Sequence, residues 1–349
     1  MQDSKKDIRT MTEEELKQFF VDQGEKAFHG KQVYEWLWKK GAVRFGVMTN
    51  LSKGTRKLLE DHFVIQALEP AGEQSSRDRT LKMVFKTADE ALIESVLIPT
   101  QSRATACISS QVGCKLACTF CATGKIPFRR NLTAGEIYDQ VWAVRQKAQE
   151  RLNLPLSNIV YMGMGEPLLN YDQLVASIRV LTSDKGLGMS PRRITVSTVG
   201  IPEGITKLAD SRLGIELAVS LHSAIEDTRS RLAPINKKYN LQALKQALIY
   251  FHQKTGKRIT FEYLLLKGVN DQIADARALA EYCKSFPVKI NLIEYNEVEG
   301  SGFQKPEAQR VEAFRELLVE RNMVVNIRRS RGKDIDAACG QLAGKGKKG

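Results

Sequence analysis

The stretch CISSQVGCKLACTFCATG, residues 107–124, decides how this chain is read. Within it, three residues separate Cys114 from Cys118 and two separate Cys118 from Cys121. No fourth cysteine lies close by. Iron–sulfur clusters are normally held by four cysteine thiolates. A four-iron cluster on three protein ligands keeps one iron open, which suggests chemistry rather than architecture. The bland alternative is a zinc site completed by a distant His or Cys. Zinc spacing usually comes as two Cys-x-x-Cys pairs, and this chain has no second pair.

The triplet follows a short apolar strand, ATACIS at 104–109. From there short strands alternate with longer amphipathic helices. Strands are expected at 158–164, 193–198, 215–222, 259–266 and 289–296, with a further one, VVNIRRS, at 324–330. Helices are expected at 133–151, 171–183, 202–211, 241–255, 272–285 and 307–321, the first opened by a Thr133/Glu136 capping box. Such alternation implies an α/β fold with a parallel sheet. Six repeats can curl into a barrel or an incomplete one. Sites in such folds lie at the carboxyl ends of the strands.

That rim collects polar residues besides the cysteines. The second strand ends in MGMGEP, with Gly165 and Glu166; Ser197 ends the third, Ser220-Leu221-His222 the fourth and Asn296 the sixth. Glycines there would let a ligand approach the backbone closely. The plainer reading is a tight strand-to-helix turn. It is not a phosphate loop, because no Gly-Lys-Ser/Thr follows. Each of the other residues, taken alone, is an ordinary strand-end residue, and a lone histidine is more often a satisfied core residue than a ligand.

Upstream, residues 12–62 read as a small helical module opened by a second capping box, Thr12 with Glu15. Its basic residues could touch a phosphate backbone, although a solvated face is the simpler reading. Residues 79–87 and 91–99 alternate like the strands of a hairpin. The organisation expected is a helical accessory module over 1–70, a hairpin linker over 71–103, the strand–helix barrel over 104–331 and a C-terminal segment over 332–349. The end of that segment, GKGKKG, is expected to be disordered.

The formal net charge of +13 favours a polyanionic partner, RNA or DNA before membrane. Six cysteines are too sparse for a disulfide scaffold, and in the cytosol clustered cysteines are more often ligands or catalysts. The charged start, MQDSKKDIRTMTEEELKQFF, has no apolar h-region, and no eighteen apolar residues run together. A cytoplasmic protein is the expectation, with no membrane contact.

The CxxxCxxC loop resembles the signature of the radical S-adenosylmethionine (SAM) superfamily. CISSQVGCKLACTFCATG, MGMGEPLLN, PINKKYN and DIDAACGQLAG together resemble the RlmN family of adenosine C2 methyltransferases. The likeness runs from the helical module through Gly344. It implies a six-stranded partial (β/α) radical SAM barrel with a helical accessory domain and a hairpin extension. It implies one four-iron cluster on Cys114, Cys118 and Cys121, with SAM chelating the open iron. Gly165, Glu166, Ser197, Ser220, Leu221, His222 and Asn296 match SAM-contacting positions. The reaction it implies consumes two SAM molecules per turnover. Cys339 takes a methyl group from the first. A radical made from the second removes hydrogen from that S-methyl group, and the methylene radical adds to C2 of adenine. Glu94, in LIESVLIP, matches the base that takes the C2 proton, where alternation alone would give a solvent-facing carboxylate. Cys107 then forms a transient disulfide with Cys339 and releases the base. Without the resemblance, Cys107 and Cys339 would default to free cysteines of the buried, inert kind, a role less natural for Cys339 among Gly, Ala and Asp in a loop-like tail, and Cys283 keeps that reading. The implied partners are 23S ribosomal RNA at the peptidyl transferase centre, adenosine in the anticodon arm of certain tRNAs, and an electron donor such as flavodoxin or ferredoxin. The enzyme is expected to be a monomer. A Cfr-like enzyme acting on adenosine C8 shares the cysteines, and a non-catalytic RNA-binding protein with a structural metal is the other alternative.

Overall fold

The computed structural model describes residues 5–344. A ten-stranded sheet forms its centre. Seven strands run parallel and in chain order: Ala104–Cys107, Leu156–Tyr161, Ile194–Thr198, Glu216–Ser220, Ile259–Leu265, Val288–Glu294 and Val324–Arg328. The six connections carry the helices Ala134–Leu152, Tyr171–Thr182, Pro202–Asp210, Leu241–Thr255, Ile273–Tyr282 and Ala308–Glu320. Parallel strands flanked by helices are buried on both faces, so they read as apolar runs rather than alternations. Leu217, Ala218 and Val219 are such a run, all fully buried. The six expected strands and the further one form one continuous parallel run. The sheet is open, because its edge strands, Val324–Arg328 and Glu69–Ser75, do not pair with each other.

Three antiparallel strands extend the sheet beyond Ala104–Cys107. They are Leu92–Pro99, Leu81–Lys86 and Glu69–Ser75. The first two are the expected hairpin. The third was not foreseen. Pro70 and Gly72 break its alternation, a bulge lies between them, and most of its side chains are exposed. A short helix, Glu226–Leu232, was also missed, since its sequence EDTRSRL carries one apolar residue.

Both capping boxes form as read, Thr12 with Glu15 and Thr133 with Glu136. They open the helices Glu13–Asp22 and Ala134–Leu152. With Phe28–Trp38 and Lys53–His62, the first makes the N-terminal helical module. That module shares one continuous apolar core with the sheet. Its anchor is Arg9, whose Nη1 donates to both oxygens of Asp139 at 2.8 and 2.9 Å in a buried pair. Gly135 makes room for the guanidinium, since a Cβ there would lie 2.7 Å from Arg9 Cζ. Removing Asp139 would take away the bidentate partner of a buried cation and leave it only the looser contact with Asp7 Oδ2 at 3.6 Å. The Tyr138 hydroxyl donates to the Trp38 carbonyl at 2.7 Å, and the two rings meet edge to face.

Among the described residues, no helix is long and apolar enough to cross a membrane. Of the tail GKGKKG, only Gly344 falls within the described residues.

Candidate active site

A cavity of about 410 Å³ opens at the carboxyl ends of the parallel strands. Cys114, Cys118 and Cys121 all line it, together with Cys107 and Cys339. So do Gly165, Glu166, Ser197, Ser220, His222 and Asn296. Leu221 and Glu94 do not.

The cysteine loop is held from beneath by its neighbours. Gln140 clamps Ser109, accepting from its N–H at 2.8 Å and donating to its carbonyl at 3.1 Å. Ser109 Oγ donates to the Glu94 carbonyl and accepts from the Met164 N–H. Asn170 Nδ2 donates to the carbonyls of Ser110 and Leu132, both at 2.8 Å, closing the loop at both ends. The glycines of MGMGEP serve the same close packing. A Cβ at Gly163 would lie 2.7 Å from the Ile108 carbonyl carbon, and one at Gly165, where φ is +95°, would lie 2.5 Å from Gln111 Cβ. Only glycine permits that approach and that backbone angle.

Glu166 is buried, with its carboxylate accepting from the N–H groups of Leu168 at 3.1 Å and Val199 at 2.8 Å. Burial pushes its pKa up to about 7, and those two N–H groups and Thr198 pull against it. His222 has φ of +56°, and its Nδ1 accepts from the Leu264 N–H at 3.0 Å. Burial, with Arg229 nearby, holds its pKa down to about 3, so the ring is neutral. Its edge meets Phe120, between Cys118 and Cys121, at 4.6 Å, so the histidine braces the cysteine loop. Leu221 is fully buried, and its carbonyl accepts from Arg229 Nη1 at 2.5 Å.

Asn296 Nδ2 donates to Ser330 Oγ at 2.9 Å and to the Cys339 carbonyl at 3.3 Å. Its Oδ1 is buried with no hydrogen-bond partner among the described residues. An orphaned acceptor on a cavity wall is a place for a ligand donor.

The C-terminal segment lies across the cysteine loop. Ala122 N–H donates to the Gly340 carbonyl, and Thr123 Oγ1 to the Leu342 carbonyl, both at 2.7 Å. This strap opens Cys339 onto the cavity that Cys107 also faces. Glu94 ties down the strap's far end, accepting from the Ala343 N–H at 2.9 Å. It is buried and lies 3.9 Å from Lys82 Nζ, not on the solvent face that alternation alone would give it. Burial pushes the Cys107 pKa up to about 12, with Cys339 adding to the effect and Arg328 opposing it. Crowding inside the cavity raises the Cys339 thiol too, although the residue is exposed, and Arg328 opposes that rise.

Three further residues belong to this site. Arg328 lines the cavity near both thiols and lies 3.6 Å from Glu262. Arg229, fully buried, binds the carbonyls of Val199, Ser220 and Leu221 and fixes the ends of two neighbouring strands together. Its Nε donates to Asn236, inside PINKKYN, which accounts for that motif. In the sequence Arg328 is indistinguishable from its basic neighbours. Glu262 carried a readable signal, as the one carboxylate in the apolar strand ITFEYLLL. Cys283 is buried away from the cavity.

The donor set fits a four-iron cluster with a chelating ligand. Three thiols share one wall, and the orphaned Asn296 oxygen faces the same space. Burial raises the Cys114 pKa to about 11, so its thiolate form calls for a bound cationic centre. Among the described residues, no three His, Cys, Asp or Glu side chains converge on a single-ion site.

Residues 6–65 match the family described as the ribosomal RNA large subunit methyltransferase N-terminal domain, and residues 108–280 match the radical SAM superfamily. A relative from Christiangramia forsetii, named a probable dual-specificity RNA methyltransferase RlmN, is 51% identical over 99% of this chain and 98% of its own. The dual-specificity RNA methyltransferase RlmN of Geobacter sulfurreducens is 43% identical, covering 97% of this chain and 92% of its own. The crystal structure of a radical SAM methyltransferase from Sphaerobacter thermophilus superposes with a TM-score of 0.93 at 39% identity, covering 97% of this chain and 100% of that one. With the cysteine loop, the strand-end motifs and the C-terminal strap in one cavity, this chain belongs to the RlmN family and has the α/β fold of radical SAM proteins.

Proposed function

We propose that this chain methylates C2 of adenosine in 23S ribosomal RNA and in certain tRNAs, through an S-methylcysteine and a transient protein–RNA bond. The observation that carries this reading is the placement of Cys339 and Cys107, far apart in sequence, in the cavity of the cysteine triplet. The triplet would hold the cluster. Gly165, Glu166, Ser197, Ser220, His222 and Asn296 would hold SAM, with Leu221 supporting them from the core. When bound and reduced by one electron, from a donor such as flavodoxin or ferredoxin, the cluster with SAM supplies a 5′-deoxyadenosyl radical.

Adenine C2 lies between two ring nitrogens and is electron-poor. It is a weak nucleophile, but it accepts a carbon radical. Cys339 solves that problem as a carrier. Its thiolate, favoured by Arg328, first attacks the methyl carbon of one SAM, so that a bond to the Cys339 sulfur forms as the sulfonium–methyl bond breaks and S-adenosylhomocysteine leaves. The Cys339 S-methyl group then loses a hydrogen atom, and its methylene carbon bonds to C2. Glu94, which lies outside the cavity lining, would take the C2 proton through one water, and the oxidised cluster would accept the electron that leaves the adduct. Cys107 attacks the Cys339 sulfur, a disulfide forms, the carbon–sulfur bond breaks, and the released carbon takes a proton to complete the methyl group. External reduction of the disulfide resets the pair.

The test is anaerobic reconstitution followed by mass spectrometry of nucleosides from ribosomal and transfer RNA, treated separately. The reading expects 2-methyladenosine. 8-Methyladenosine would replace it with the Cfr-like reaction, and no methylated adenosine from cluster-loaded protein would overturn it.

A further inference from the structure

Of the chain's many basic residues, four arginines are gathered on one lip of the cavity. Arg77 and Arg79 lie in the turn between Glu69–Ser75 and Leu81–Lys86, and Arg329 and Arg331 follow the last strand. All four are exposed, and none pairs with a carboxylate among the described residues. Arg329 and Arg331 line the cavity that Cys339 faces.

Two acidic side chains lock the two segments together. Asp78 Oδ2 accepts from the Gly332 N–H at 3.0 Å, and Arg331 Nη1 reaches the Asp78 carbonyl at 3.5 Å. In return, Asp334 accepts from Ser76 Oγ at 2.6 Å and from the Arg77 N–H at 3.1 Å. A Cβ at Gly332, where φ is +64°, would lie 2.8 Å from Ala337 Cβ and 2.9 Å from Thr80 Cγ2, so the two segments are in close contact. The carboxylates are occupied by backbone and hydroxyl donors, and they leave the guanidinium groups unneutralised. Lys333, in the same loop, is already paired with Glu294.

We propose that Arg77, Arg79, Arg329 and Arg331 form the phosphate-binding lip that seats the RNA strand flanking the target adenosine. This rests on the functional reading above. A base that reaches Cys339 must bring its neighbouring phosphates to the cavity mouth, and guanidinium is the side chain suited to bind them. The same lip explains the unforeseen third antiparallel strand, whose turn carries Arg77 and Arg79 to the site.

The test uses the full, cluster-loaded chain and a fluorescein-labelled stem-loop RNA with an adenosine in its loop. Anisotropy gives the dissociation constant across a fourfold range of salt. Each lost phosphate contact lowers the salt slope by roughly 0.7 to 0.9, so Arg77→Gln with Arg79→Gln lowers it by about 1.4 to 1.8. Across that range the wild type loses about 7- to 12-fold more affinity than the double variant. Both side chains are exposed, and circular dichroism should show an unchanged fold. Arg329→Gln with Arg331→Gln should behave alike. Arg192→Gln with Arg193→Gln, at the amino ends of the strands, should leave the slope unchanged. Unchanged slopes in both lip variants, with wild-type RNA binding intact, overturn the lip and spare the functional reading. Salt-independent or absent RNA binding by the wild type overturns both. Lip variants with normal RNA binding but slower cluster reduction by flavodoxin would make the lip a protein-docking face and overturn its assignment to RNA.

Discussion

The release step has a pH dependence that follows from where Cys107 sits. Its thiol is buried on the cavity wall, and burial is the largest cause of a pKa near 12, against about 8.5 for a free cysteine. In the covalent adduct Cys339 is a thioether and carries no charge. Its contribution to Cys107 disappears, but burial remains, and Arg328 still pulls the other way. The attacking species is the thiolate. Without the Cys339 contribution the pKa lies below about 12, but burial still holds it well above the free-cysteine range, so the thiolate is a minor species whose fraction grows about tenfold per pH unit. The sign is therefore positive, and adduct release should quicken about tenfold per pH unit, about a hundredfold from pH 7 to pH 9. The assay forms the adduct at low pH in a single turnover, jumps the pH and follows the gel-shifted protein–RNA band. A free-cysteine pKa would instead bend the profile to a plateau near pH 9. A pH-independent lifetime, or such a plateau, would refute the argument from burial.

Other outcomes follow from the same geometry. Glu94→Gln keeps an oxygen for the Ala343 N–H, so the strap stays tied, while the proton acceptor is lost. The single-turnover rate should fall about 100- to 10,000-fold, and near-normal turnover would reduce Glu94 to a tether. His222 stays neutral in the fold down to about pH 3, whereas the unfolded chain protonates near 6.5. The unfolded state thus binds more protons below pH 6.5, and this residue should cost about 2 kcal/mol of stability between pH 8 and pH 5. Denaturant titrations at the two values should show that loss, and His222→Gln, which can still accept from Leu264, should remove it. Gly165→Ala must place a Cβ 2.5 Å from Gln111 Cβ at φ +95°, so unfolding should become easier by about 1–3 kcal/mol. An unchanged midpoint would contradict that packing.

The parallel strands were legible because apolar runs of β-branched residues alternate with capped, amphipathic helices. The capping boxes at Thr12 and Thr133 are local chemistry and formed as written. The strand Glu69–Ser75 was not legible, because it lies at an exposed sheet edge with Pro70 and Gly72 inside it. Five cysteines of the cavity could be named from their motifs, but their convergence depends on a strap whose bonds join residues more than two hundred positions apart, such as Thr123 with Leu342. Arg229 and Arg328 escaped for the same reason. Their partners are carbonyls, thiols and a carboxylate supplied by other strands, and nothing beside them in sequence marks that role. Glu94 illustrates the opposite error of local reading. Alternation points it to solvent, while the Ala343 N–H and Lys82 meet it in the interior.

The central claim is that Cys339 carries the methylene to adenine and Cys107 releases it. Cys107→Ala protein, loaded with its cluster and given SAM, reductant and RNA, tests this most directly through tandem mass spectrometry of the cross-linked peptide. The account predicts a stable adduct in which one carbon bridges the Cys339 sulfur and an adenine. Free methylated adenosine with no adduct, or a bridge to any other residue, would contradict it.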